Sequence, residues 1–568
     1  MRRMVFILIL GMSFMHESIA QDWREIDKIM ELSGAESEAD LHSEEVEHFS
    51  EMLKHPLRIN RMSRSSLLDC GLFSPYQVAS FLEYRQRFGA VASLSELASV
   101  DGFSKRYVDI LGPFISMDND IGQGKSCSGS RVGHDISLRG GYRFSNEEHE
   151  WQYGFKYGLD VSDLLSASIG MSVARYSFSL AYDFRKSDAK IILGDFNARF
   201  GQGLTSWNGV FLSSLTSPSG FMKKASGVTQ VRSFTGSSAN TGVASEWGFG
   251  NFVLSTAVGL PKIKDAKTIT KDQTIRPVVN FRWLNRLGSV GVTAVSESDL
   301  SGQSVPFCLK SSVDASLCIR GVNLFSEAAY DWSVRVASVV AGTDFSPGDY
   351  FRVAALSGWV QGQQCQFAVS GELTESTQKR HKLLFSTEGL YYHVPKDKSD
   401  EYSLQVKSQI RWDWQVVDRL FLKIRLTDRF RTWGFPHRAE VRAELGVLFG
   451  SWVVDACAIL LKYREISSLV YLDNSYKTNL LTLHLRLGLF DVGHWDDRIY
   501  VYEYDIPGSF NVPAYYGRGV WASSMLSWKI SRCIRLYART SFITYPFMPD
   551  EKKKPGRAEL KIQSVFRF

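Results

Sequence analysis

The sequence predicts an exported chain in which a small helical module precedes a large antiparallel transmembrane β-barrel of about 22 strands. Three observations carry this. The chain opens with a short charged stretch and a brief apolar run. Period-two alternation of apolar and polar residues then recurs from about residue 134 to Phe568. Beyond the opening run there is no stretch of 18 or more apolar residues, so spanning by helices is not expected and strands must do it.

The opening reads Met1-Arg2-Arg3, an apolar segment from Met4 to about Met15, then Ser18-Ile19-Ala20. This is the layout of a secretory signal peptide over residues 1–20, with cleavage expected before Gln21. Residues 21–55 form an acidic segment with Glu44, Glu45, Glu47 and Glu51, expected as a solvated helix. Residues 56–116 form a compact helical module, 117–133 a linker, and 134–568 the barrel.

The barrel strands are read from their faces. Leu481, Leu483, Leu485, Leu487 and Leu489 alternate with Thr482, His484, Arg486, Gly488 and Phe490. In the last strand, Leu560, Ile562 and Phe566 alternate with Glu559, Lys561, Gln563 and Arg567. One face suits lipid and the other a wet lumen. An aromatic content of 13% with 45 Gly suits interfacial girdles and tight turns. Inward rows holding Lys407, Arg411, Lys423, Arg425, Glu440, Arg442, Glu444 and Arg486 predict a lumen of mixed charge. The polar stretch from Gly201 to Gly242 is long enough to enter the lumen or cover one mouth. The loop Asp550-Glu-Lys-Lys-Lys-Pro-Gly556 is expected outside the cell, where its lysines either attract polyanions or stay solvated.

Seven cysteines (Cys70, Cys127, Cys308, Cys318, Cys365, Cys457 and Cys533) show no metal-ligand spacing, and only Cys308 and Cys318 are near enough in sequence to be considered a pair. There is no G-x-S-x-G elbow, H-E-x-x-H or phosphate-cradling loop, so neither enzymatic activity nor a cofactor or metal is expected. His484 on the inward face is expected to be a hydrogen-bonded lumen residue. The net charge of +6 does not imply nucleic acid.

Within the module, Ser74, Pro75 and Gln77 read as a capping box, and Ser93 with Glu96 repeats it. Val78, Phe81 and Leu82 share one face, Leu94, Leu97 and Ala98 another. Four short helices with turns near Gly71 and Gly102 follow. This order, with Tyr84-Arg85, Gly89, Ser93-Leu-Ser-Glu-Leu97 and Gly102 in register, resembles the tandem helix-hairpin-helix modules of competence DNA receptors. The whole chain resembles outer-membrane proteins that fuse such a module to a barrel. Gly194-Asp195-Phe196 and Phe200-Gly-Gln-Gly-Leu204 look like recurrent features of those barrels.

The resemblance implies a bacterial outer-membrane location with the module in the periplasm. It also implies contact with membrane lipid, and recognition of the strand ending in Phe568 by the barrel-assembly machinery. Its DNA-handling relatives would make Gly71, Ser74, Arg85, Gly102, Ser104, Lys105 and Arg106 the nucleic-acid-binding residues, meeting the backbone of double-stranded DNA at helix starts. Each turn here keeps one glycine of the usual two, and Asp69, Asp101 and Asp109 dilute the positive field. Assistance in DNA uptake, docking of another envelope protein, and plugging of the barrel therefore stand as alternatives.

Overall fold

The computed structural model describes residues 25–568, apart from 34, 36–40, 42, 55, 118–131, 146–147, 162–163, 174, 185–186, 209–214, 235–238, 263–273, 286, 300–307, 320, 349, 376–379, 394–401, 433–435 and 550–553. The signal at 1–20, nearly all of the linker at 117–133 and the acidic-basic half of the 550–556 loop lie outside the described residues.

Antiparallel strands close into a ring in which Arg557–Arg567 pairs with Val132–Ser145, so the last strand meets the first. The ring holds 24 strands. The short strand Gly227–Gln230 is an addition, because Ala189–Arg199 and Asn240–Phe249 already pair with one another. The expected count of about 22 was too low because several connections shrink to two residues, as at 250–251, 418–419 and 450–451. Chain saved in turns makes further strands. These short turns lie at the end of the barrel that holds Phe568, and the strand ends Arg199, Pro261, Val492 and Thr544, from which the long connections leave, lie at the opposite end. That asymmetry is the rule for outer-membrane barrels.

Side chains follow the predicted alternation. Leu485, Leu487, Leu489, Leu560 and Ile562 face outward and are exposed to the surroundings of the barrel, whereas Arg486, Glu559, Lys561 and Gln563 are buried within it. No helix among the described residues is long and apolar enough to cross a membrane. Cys308 and Cys318 stand near opposite ends of one strand, Cys308–Ile319, and both are free thiols, which removes the pairing considered above.

The described N-terminal residues form six helices: α1 (Glu25–Ser33), α2 (Ser43–Lys54), α3 (Arg64–Asp69), α4 (Pro75–Phe88), α5 (Leu94–Leu97) and α6 (Lys105–Leu111). The Ser74–Gln77 capping box is present, Ser93 accepts from Glu96 N–H, and Ser104 accepts from Tyr107 N–H. One apolar core runs through all six helices and includes Ile29, Leu67, Phe81, Leu97 and Leu111. A two-residue parallel ladder, Leu57 to Ile115 and Arg58 to Ser116, ties the ends of the 56–116 unit together. The acidic segment departs from expectation. It is two helices rather than one solvated helix, because Ile26, Ile29, Met30, Phe49 and Met52 are buried in that same core.

The segment Gly194-Asp195-Phe196 has a structural reading. Gly194 sits at φ +94, and a Cβ there would collide with the Phe178 carbonyl oxygen. From Phe196 onward the strand leaves its wall neighbour and pairs with Gly227–Gln230. Asp195, fully buried, accepts from Phe178 N–H, the Thr241 hydroxyl and the Lys262 ammonium at this departure point. Gly194→Ala is expected to destabilise the barrel by roughly 1–3 kcal/mol through backbone strain, before any cost of the collision. The check is the temperature at which the folded, fast-migrating band on a semi-native gel is lost.

Candidate functional site

The helical module occupies the lumen at the short-turn end, and charge holds it there. On α1, Asp27 meets Lys423 at 2.6 Å and Glu31 meets Lys382 at 2.6 Å. Arg106 on α6 bridges Glu31 and wall residue Glu372, each at 2.6 Å. On α2, Glu47 meets Lys156 at 2.8 Å. On α3, Asp69 meets Lys190 at 2.6 Å and Arg64 meets Asp188 at 2.7 Å. Of the four acids named from sequence, Glu47 thus finds a cation of the wall, and the side chains of Glu44, Glu45 and Glu51 lie outside the described residues. Burial would lift the Glu31 carboxyl, but the charges of Lys382 and Arg106 bring it from about 4.5 down to about 2. Burial pushes Asp69 up to about 6 despite Lys190.

Two long connections fold inward from the other end and meet the module. In the 200–239 connection, the Ser219 hydroxyl donates to Glu31 O at 3.1 Å, and Lys224 Nζ stands 4.7 Å from the Tyr107 ring. In the 493–516 connection, Tyr502 and Phe510 pack on the module's core. This second connection is pinned by Arg539, about 1% exposed, which reaches Glu503 at 2.6 Å and also pairs with Glu559. Lys561 holds Asp505 at 2.8 Å. Above the pin, Ile499, Val501 and Tyr515 bury against Tyr471, Phe490 and Trp521 of the wall.

Between module, inward loops and wall lies a chamber of about 2980 Å³. That is well beyond the roughly 300–1,000 Å³ of an ordinary ligand pocket. Among its described lining residues, fourteen Lys or Arg face eight Asp or Glu, an excess that favours anions. His484 lines it as expected, 2.7 Å from the Ser475 hydroxyl and stacked on Tyr504.

The seven residues named from sequence fall as follows. Ser74 and Ser104 are helix caps, and Gly71 and Gly102 provide positive-φ turns at +70 and +87. The two turns pack together through Phe73 and Phe103, with Gln77 Nε2 donating to Gly102 O at 2.8 Å. Gly102 lies against Cys318 of the wall. Arg85 donates to the carbonyls of Asn60 at 2.9 Å and Met62 at 3.0 Å. Arg106 is held in the seam, while Lys105 is exposed. The structure therefore brings the turns together but spreads their cations over different tasks. Sequence reasoning missed Asp27, Glu31, Glu503 and Arg539. The signal available was sign complementarity between an acidic segment and basic inward rows.

No family model matches the chain, and no curated protein matches it. Solved structures with a similar architecture include a ferric enterobactin receptor from Pseudomonas aeruginosa in complex with enterobactin. It has a TM-score of 0.42 and 10% identity, over 78% of this chain and 82% of that one. The siderophore receptor PirA from Acinetobacter baumannii aligns at 0.43 and 9%, over 78% and 81%. The copper transporter OprC aligns at 0.41 and 9%, over 78% and 82%. Function does not follow from likeness at that level. By its own geometry the chain is an outer-membrane-type β-barrel with helices inside its lumen.

Two measurements follow from this geometry. Because the Glu31 carboxyl is held low, its contribution to docking is complete above about pH 4.5 and fades as pH falls toward 2. Asp69, held high, adds stability as pH falls through about 6. Protease accessibility of the module is therefore expected to fall slightly from pH 7 to 5 and rise between 4.5 and 2, with Glu31→Gln removing part of that rise. Arg539→Ala would leave Glu503 buried without its cation, while Asp505 keeps Lys561, a cost of roughly 3–5 kcal/mol. Hydrogen exchange over 499–510 is expected to speed up sharply in this variant.

Proposed function

We propose that this chain is a plugged transport barrel of the bacterial outer membrane, with the helical module as its plug. The carrying observation is the ion-paired seam that seats the module within the lumen, where Asp27, Glu31, Glu47 and Asp69 meet Lys423, Lys382, Lys156 and Lys190. A module whose duty lay elsewhere would not need its acids matched to wall cations at the cost of removing both from water. In this reading the short-turn end faces the periplasm, lipid meets the outward apolar belt, and the strand ending in Phe568 is what the assembly machinery engages. Opening requires the seam to part, and a partner in the periplasm is the natural agent.

The cation excess of the chamber makes anions the favoured cargo. DNA, a polyanion, is the second reading, under the competence-type resemblance. For DNA capture by the hairpins themselves, Arg85 and Arg106 would have to leave their present carbonyl and carboxylate partners.

Conductance in a planar bilayer tests the plug. The full chain is expected to be closed, and Lys382→Glu with Lys423→Glu is expected to give large, sustained steps. A chain that conducts freely without substitution, or a charge-reversed chain that stays closed while its module becomes protease-sensitive, would sink the reading. Salt-dependent retardation of duplex DNA by the charge-reversed chain alone, and not by the docked one, would favour DNA.

A further inference from the structure

The end of the barrel opposite Phe568 carries a separate strip of aromatic and basic side chains. It forms where the 493–516 connection leaves Val492 and rejoins the wall at Gly517, beside the 545–556 connection that leaves Thr544. Its frame is the 3-10 turn Trp495–Asp497. Arg438 of the wall donates to Asp496 O and to Arg498 O, both at 3.1 Å. Asp497, fully buried, accepts from Arg464 N–H at 2.9 Å and from Glu465 N–H at 3.1 Å. The turn is thus held from two sides. Ile499 and Val501 go down against the wall, while Trp495 and Tyr500 stay 53% and 42% exposed.

Gly517 brings the second connection in. It has φ +93, and a Cβ there would lie 3.0 Å from Met548 Sδ and 3.3 Å from Lys554 Nζ. With that space open, Lys554 Nζ stands 3.0 Å from the Tyr516 ring centre and 5.6 Å from that of Tyr545. Tyr516 meets Trp495 edge to face at 4.5 Å. The Arg498 guanidinium stands 4.7 Å from the Trp495 ring and 5.6 Å from the Tyr500 ring. From Tyr500 to Lys554, each group of the strip touches the next.

Two features of the strip go beyond what holding the fold requires. An exposed arginine ordinarily keeps its rotamer freedom. Here Arg498 Nε donates to the Tyr500 hydroxyl at 2.6 Å and Nη1 to Trp495 O at 3.1 Å, so the fork is fixed with Nη2 still open among the described residues. Neither Arg498 nor Lys554 has a carboxylate partner among those residues. The acids of the neighbouring chain have other partners: Asp496 meets Arg464 at 2.6 Å, Glu465 meets His494 at 3.3 Å and Asp491 meets Arg518 at 2.8 Å. The second feature is the exposed indole and phenol themselves, rigid contact area offered to solvent on a turn that could have buried them. Aromatic faces suit the C–H face of a sugar ring, a fixed guanidinium and an ammonium suit an anion, and the exposed carboxylates of Asp496 and Glu465 can accept from hydroxyls. A saccharide with acid groups meets all three, whereas an aromatic acid leaves the carboxylates unused.

We propose that Trp495, Arg498, Tyr500, Tyr516 and Lys554 form a binding site for an acidic saccharide, one that bears carboxylate or phosphate groups. The site rests on the transport reading only in taking this end to face the outside of the cell. Binding itself needs neither movement of the plug nor an open lumen, so the two can fail separately.

The test is calorimetric titration of the full chain in detergent with two acidic saccharides. Trigalacturonate represents a free carboxylated glycan, and deacylated lipopolysaccharide core represents the phosphorylated sugars of the membrane itself. Saturable binding of at least one is expected, and which one binds assigns the source. Arg498→Gln is expected to weaken it about tenfold or more, the scale of a charge-assisted hydrogen bond. Trp495→Ala should weaken it severalfold and Trp495→Tyr should retain it, with gel mobility of the folded form as the control for misfolding. Arg518→Gln, at the same end but paired with Asp491, should leave binding as it was. Absence of saturable binding by both saccharides would overturn the site, as would equal weakening by Arg518→Gln. Equal affinity for neutral maltotriose or for phenyl phosphate would overturn the ligand class. Conductance of the seam variants, measured without saccharide, tests the transport reading independently.

Discussion

The interaction on which the rest depends is the match between carboxylates on the module and cations on the barrel wall. Neither set is comfortable alone. The lumen carries lysines that would repel one another, and the module carries acids on helices whose other face is committed to an apolar core. Bringing them together removes charge from water at a cost that only close pairing offsets, and the distances of 2.6 to 2.8 Å meet that demand. Such contacts are individually modest in net free energy. They are nonetheless demanding about geometry, which makes the docked position specific without making it permanent.

The inward loops extend the same logic with different chemistry. The 493–516 connection is pinned by a buried Arg539 and covered by aromatic packing around Trp521, so it behaves as part of the wall. The 200–239 connection is fastened by backbone N–H groups on Glu327, by the ladder of Gly227–Gln230, and by Leu215 and Phe221 packed on Phe325, Ala354 and Ala368 of the wall. Both touch the module, so its seat is built from three parts of the chain distant in sequence.

The barrel was largely legible because a period of two is local information. Leu481 to Leu489 announce their faces without reference to any other strand, and the helix caps at Ser74, Ser93 and Ser104 are equally local. The strand number was not legible, since it depends on how tightly each turn closes. The site was not legible either, for a deeper reason. Which carboxylate meets Lys382 is decided by ring closure and by the depth at which the module sits, and neither is written in any single segment. Glu31 looked like a solvated helix residue because an acidic run on a helix usually is one. Arg85 and Arg106 looked available because their partners, two carbonyls and a glutamate on a distant strand, are separated from them in sequence.

Closure of the ring by its first and last strands sets an order of events. Residues 557–567 must be in place before Val132–Ser145 has its second neighbour, with more than 400 residues between them. The module precedes both in the chain, yet its seat does not exist until strands carrying Lys382 and Lys423 have aligned. Until that alignment the module has only its own apolar core to hold it, since the cations it pairs with are not yet gathered. An acidic exterior is well suited to that interval, because it keeps the waiting module apart from other acidic surfaces and soluble until a basic interior takes shape.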